Sequence, residues 1–144
     1  VIDANSPSVS SATVTGGTAK IGTVITVTVA ADAAGYTLGT STMNGVNLAG
    51  FNDGGGGSYT MTYTVASGNT DRAAGATPIS IILTDAAGNT NSAFTTLTAS
   101  SAQTIDANAP GLSNSSTSPG DSGKVGTATT VTADEREQSL TCTS

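Results

Sequence analysis

The sequence predicts an all-β protein, and two observations carry that expectation. The first is composition: Thr is the commonest of the 144 residues, with 27 copies, and 21 Ala, 18 Ser and 18 Gly follow it. Thr is β-branched and suits a pleated surface, while the straight-chain helix formers Glu, Lys and Gln are almost missing. The second is pattern: short runs alternate apolar with hydroxyl residues, a period of two, between breaks rich in Gly and Asn. Val, Ile, Leu and Phe supply only 25 residues, a share at which disorder competes with folding. Charge density is only 10%, and the apolar residues are ordered by position, so a folded chain is expected.

The strands can be placed in order. Ser8 to Val14 follows Pro7 and ends at Gly16-Gly17. Thr23 to Ala30 alternates Ile25, Val27 and Val29 with Thr26 and Thr28. Thr37 to Met43 and Val46 to Phe51 flank Asn44-Gly45, a strong hairpin signal because both turn residues tolerate positive φ. Ser58 to Val65 alternates Tyr59, Met61, Tyr63 and Val65 with Ser and Thr. Pro78 to Thr84 carries Ile79-Ser80-Ile81-Ile82-Leu83, suited to a central strand. Asn91 to Thr98 closes the series after a compact turn, Asp85-Ala86-Ala87-Gly88-Asn89. About seven antiparallel strands in roughly 100 residues predict an immunoglobulin-like β-sandwich without the Cys–Trp–Cys core of antibody domains. Its expected core is thin: Ile25, Val27, Val29, Leu38, Tyr59, Met61, Tyr63, Ile79, Ile81, Leu83, Phe94 and Leu97.

A repeat organises the chain. Ile2-Asp3-Ala4-Asn5-Ser6-Pro7 returns as Ile105-Asp106-Ala107-Asn108-Ala109-Pro110, Lys20-Ile21-Gly22-Thr23 as Lys124-Val125-Gly126-Thr127, and Thr26-Val27-Thr28 as Thr130-Val131-Thr132. The expected organisation is one complete repeat over 1–104 and the first third of a second over 105–144. Residues 135–144 match nothing in the first copy. They hold both Glu residues and the only Cys, Cys142, and read as a divergent or disrupted tail.

Asp85-Ala86-Ala87-Gly88-Asn89-Thr90 resembles the D-x-A-G-N-T signature of bacterial Ig-like repeats, and the hexapeptide at 105–110 resembles their linker. The resemblance covers 1–110 well, 111–134 loosely and 135–144 not at all. It implies a tandem array in a large secreted or cell-surface adhesin-like protein, with an extracellular location. Its repeats would act as extenders whose partners are the adjacent repeats. It also implies Ca²⁺ at the repeat junctions.

Eight of the ten acids are Asp, and most lie in loops beside Gly or Asn. Ca²⁺ takes six to eight oxygens from such groups. In a sandwich, one end would gather Asp3, Asn5, Asp32, Asp85 and Asn89, and the other Asp71, Asp106 and Asn108. The same residues are also ordinary turn formers whose side chains bond nearby amides, so both readings stand.

Other functions are disfavoured by what is missing. Without His there is no imidazole base and no His metal site, and one Cys forms neither an internal disulfide nor a zinc cluster. A net charge of −6 opposes nucleic-acid binding. No apolar run approaches the roughly 20 residues of a membrane helix. The first residues have no basic, apolar-cored leader, so they do not read as the beginning of a secreted precursor. The expected function is non-catalytic and structural. The alternative is a carbohydrate- or protein-binding module, which needs exposed aromatic rings, whereas Tyr59 and Tyr63 share one strand face expected to be core.

Overall fold

The computed structural model describes residues 3–98 and 103–110. The chain divides into two compact units, Val1–Asn108 and Ala109–Ser144, and of the second only 109–110 are among the described residues. The second repeat copy beyond Pro110 and the divergent tail therefore lie outside them.

The first unit is all-β, with no helix among the described residues. Its main sheet has four strands in the order β1 (Val9–Val14), β3 (Val24–Ala31), β8 (Ser58–Thr64) and β7 (Ala49–Asp53), all antiparallel. The alternation read from the sequence sets its two faces. Ile25, Val27 and Val29 on β3 and Tyr59, Met61 and Tyr63 on β8 point into the core, while Thr26, Thr28 and Thr64 face out. Cross-strand neighbours share a face, so Val27 stands opposite Met61 and Thr28 opposite Thr60.

The other strands are short. β4 (Thr37–Leu38) pairs with β10 (Leu83–Thr84). β5 (Thr42–Met43) pairs with both β6 (Val46–Asn47) and β9 (Ile79–Ser80). Asn44 and Gly45 turn the β5–β6 hairpin at φ 54° and 77°. Ile79, Ile81 and Leu83 are buried and meet the inner residues of the main sheet in one apolar core. Thus the run 79–83, continuous in sequence, buries alternate residues on one face.

Three expectations need correction. The seventh strand, 91–98, is not a ladder: Ile81 with Phe94 is the one bridge within it among the described residues, Thr84 bridges Thr90 just before it, and at its end the Thr98 N–H donates to the Ala12 carbonyl (2.8 Å) while the Ala12 N–H donates to Thr98 Oγ1 (3.1 Å). The reason is Asn91, which is buried. Its Oδ1 accepts the Leu83 N–H (2.6 Å) in place of a backbone carbonyl, and its Nδ2 is a second donor to the Ile81 carbonyl (3.1 Å), which already accepts the Phe94 N–H (3.0 Å). Second, residues 17–20, which lie between two expected strands, form β2 (Gly17–Lys20). Third, the strands are not all antiparallel, because β2 pairs in parallel with β11 (Gln103–Asp106). β11 includes the start of the supposed linker. Ile105 and Ala107 are 2% and 1% exposed and belong to the core, so the compact unit runs on to Asn108.

Candidate functional site

Two buried tyrosines four residues apart on β8 anchor the loops at opposite ends of the sandwich. Tyr59 donates its hydroxyl hydrogen to the Ala33 carbonyl (2.8 Å) and accepts the Tyr36 N–H (3.1 Å). Tyr63 donates to Asn69 Oδ1 (2.8 Å) and accepts from Asn44 Nδ2 (3.2 Å). A buried phenol needs such partners. At four residues' separation along a strand, the two hydroxyls serve ends about 13 Å apart.

The Tyr59 end holds the chain's entrance. The Ser8 N–H donates to Asp32 Oδ1 (2.9 Å), which also accepts the Tyr36 hydroxyl (3.1 Å). The Ser8 bond, more than any other contact, holds the Asp32 carboxyl below the usual carboxylate range. Tyr36 is pushed above the ordinary phenol value, first by desolvation and then by its bond to Asp32. The negative charge of Asp85 adds to that rise, which puts both carboxylates at this end. Asp85 closes its own hairpin: Oδ1 accepts the Ala87 and Asn89 N–H groups (2.9 and 2.8 Å), and Oδ2 accepts Asn89 Nδ2 (2.9 Å). The Asn89 side chain, the largest influence, lowers the Asp85 carboxyl. Asn89 Nδ2 also reaches the Asp3 carbonyl (3.1 Å), joining the N-terminal segment to the last hairpin. Asp3 Oδ1 accepts the Asn5 N–H (3.0 Å).

The Tyr63 end holds the exit. Asp71 Oδ1 accepts the Ala107 N–H (2.8 Å), and Asp71 Oδ2 accepts Asn108 Nδ2. Asp106 Oδ1 accepts the Asn108 N–H (3.2 Å). Beside them Arg72 exchanges two backbone hydrogen bonds with Ile105 (both 2.9 Å) and donates from Nε to Asn44 Oδ1 (2.7 Å). Asn44 in turn donates to the Thr70 carbonyl (2.8 Å).

The eight named residues thus fall into two sets. Asp3, Asp85 and Asn89 are bonded together, with Asn5 joined through Asp3, while Asp32 at the same end bonds Ser8 and Tyr36 instead. Asp71, Asp106 and Asn108 form the other set. Among the described residues, no three acids, thiols or imidazoles come together in a group that could hold a metal ion. Both carboxylate oxygens of Asp71 and of Asp85 accept neutral amide N–H donors, whose dipoles partly offset the carboxylate charge. Asp3 and Asp106 each accept through one oxygen only among the described residues.

Sequence reading missed Asn44, Arg72 and Asn91 as organising residues. Asn44-Gly45 announces a hairpin, but nothing in it shows that the Asn side chain turns inward. Aromatic rings form no exposed platform: Phe51 and Tyr36 each stack on Tyr59, at 5.4 and 6.1 Å between centroids, and Tyr59 itself is fully buried. An open cleft of about 330 Å³ lies along β2 and β3, lined by Thr15, Thr18, Thr23, Val24, Thr26 and Gln103 among others. Its walls carry hydroxyl, amide and methyl groups, without an acid, a base or an aromatic ring. No protein family, curated protein or solved structure matches this chain.

Proposed function

We propose that the first unit is an immunoglobulin-like, non-catalytic spacer repeat of an extracellular or bacterial cell-surface adhesin-like protein. The observation that carries this reading is the treatment of the repeated hexapeptide. One copy is fastened at the entrance by Asn89, with Asp32 holding Ser8 just beyond it, and the other at the exit by Asp71 and β2. A module whose polar side chains mainly fix where the chain enters and leaves suits a rod better than a pocket. The strand order β1-β3-β8-β7 and the parallel β2–β11 pair at the closing edge favour the immunoglobulin-like topology. Partners in this reading are neighbouring repeats of the same protein.

Ca²⁺ at the ends is part of the proposal. Its oxygens would come from Asp3, Asn5, Asp32, Asp85 and Asn89 at the entrance and from Asp71, Asp106 and Asn108 at the exit. A bound ion stabilises the folded state by mass action. Thermal melts of a tandem chain carrying two copies of residues 3–110, with CaCl₂ and with EDTA, test it. A higher Tm in calcium is expected, and an unchanged Tm removes calcium from the reading. Small-angle scattering on chains of two, three and four copies tests the spacer itself. A rod's end-to-end length grows in proportion to copy number, and growth as its square root refutes the spacer.

A further inference from the structure

The slot that receives β11 is defined on three sides. β2 pairs along one edge, with Ile105 opposite Ala19 and Asp106 opposite Lys20. The Arg72 backbone bonds Ile105 along the other edge, and Asp71 caps the end through the Ala107 N–H and the Asn108 side chain. Ile105 and Ala107 fill its apolar floor. Each of these contacts is made by a residue of the Ile-Asp-Ala-Asn motif or by the backbone.

The motif occurs twice. At the N-terminus it reads Ile2-Asp3-Ala4-Asn5, identical at all four positions. There Asp3, Ala4 and Asn5 are exposed. Among the described residues, the Ala4 N–H and the Asn5 side chain lack the partners that Asp71 gives Ala107 and Asn108. The N-terminal copy, tied at the Asp3 carbonyl by Asn89, holds the same Asp-to-Asn hydrogen bond as the docked one. Asp3 Oδ1 accepts the Asn5 N–H at 3.0 Å, and Asp106 Oδ1 accepts the Asn108 N–H at 3.2 Å. A segment whose turn is already formed binds with less ordering cost.

We infer that the slot recognises the motif rather than the position of the motif in the chain, so that residues 2–5 of a second copy can replace residues 105–108. The result is a head-to-tail contact made by strand exchange, a heterologous interface that extends rather than closes. In the parent chain the tethered strand has the advantage of high effective concentration. Exchange becomes visible when that strand is disabled.

The test is Ile105→Asp in the 144-residue chain, which places a charge on the apolar floor and expels β11. Light scattering after size exclusion is expected to give at least twice the monomer mass. Adding Ile2→Asp should restore the monomer, as should an excess of the peptide Val-Ile-Asp-Ala-Asn-Ser-Pro. The inference is overturned if the folded Ile105→Asp chain stays monomeric, or if its association survives Ile2→Asp. Should Ile105→Asp unfold by circular dichroism, the same peptide must refold it, and failure to do so also overturns the inference.

Discussion

The main sheet and the shorter strands opposite it meet the same demand, pairing every buried backbone group, by different means. β1, β3, β8 and β7 use extended ladders: β3 and β8 stay in register from Val24–Thr64 to Ala30–Ser58, while the β1–β3 and β7–β8 pairs each carry one register shift. Opposite them, β4, β5, β6, β9 and β10 are two residues long. The buried polar side chains Ser41, Asn44, Thr77, Asn91 and Gln103 all lie outside the main sheet, and all but Thr77, whose Oγ1 has no partner among the described residues, are hydrogen-bonded. Ser41 Oγ accepts the Ile82 N–H (2.9 Å) and donates to the Ile82 carbonyl (3.2 Å). Asn91 serves Leu83 and Ile81. Gln103 Nε2 donates to the Gly17 carbonyl (3.0 Å). One side of the core is therefore held by apolar packing between ladders, and the other by amides and hydroxyls standing in for missing rungs.

Three substitutions or titrations probe that contrast, in descending order of effect. Met61→Ala opens a cavity in the middle of the regular sheet, where the side chain is fully buried. Loss of about 2–5 kcal/mol in urea unfolding is expected; a loss under about 1 kcal/mol would mean the ladders do not carry the core. Asn91→Ala leaves the Leu83 N–H and the Ile81 carbonyl without their side-chain partner, at a cost of about 1–3 kcal/mol. Hydrogen exchange sharpens the comparison: the Leu83 amide should lose protection first, while the Val27 and Met61 amides follow only global unfolding. Equal effects at both places would erase the difference between the two sides.

The smallest effect is electrostatic. Asp32 and Asp85 are held below the ordinary carboxylate range in the folded state, so the stability they add is present above their unfolded value of about 3.9. It is lost as pH falls through their lower folded values. The Tm should stay level from pH 7 to about 5 and drop below about 4, and Asp32→Ala should flatten that drop. An acid limb of unchanged steepness in Asp32→Ala would show that the Ser8 clamp adds no stability.

How much was legible in the sequence follows the same division. The period of two in Thr23–Ala30 and Ser58–Val65 placed β3 and β8 to within a residue, because packing and solvent sort alternate side chains onto two faces. The hairpin turns at Asn44-Gly45 and Asp85–Asn89 were readable from residues that tolerate positive φ, and Gly88 has φ 93°. Strand 91–98 was misread because Ala93, Thr95 and Leu97 alternate while Asn91 intercepts the rungs. β11 was not among the expected strands for another reason: a sequence repeat shows where copying begins, not which residues pair. The approach of Asp71 to Asn108 was reachable by tracing which loops share an end, but the role of Arg72 had no sequence signal.

The parallel pairing of β2 with β11 has a mechanical consequence. The chain enters at the Tyr59 end and leaves at the Tyr63 end, so a pull on the two termini drives β2 and β11 lengthwise past each other. The four paired positions are then loaded together rather than one after another. Bonds loaded in parallel share the force, whereas bonds at a peeling fork meet it singly. A unit closed in this way yields abruptly at one threshold, and until then transmits tension with little change in length.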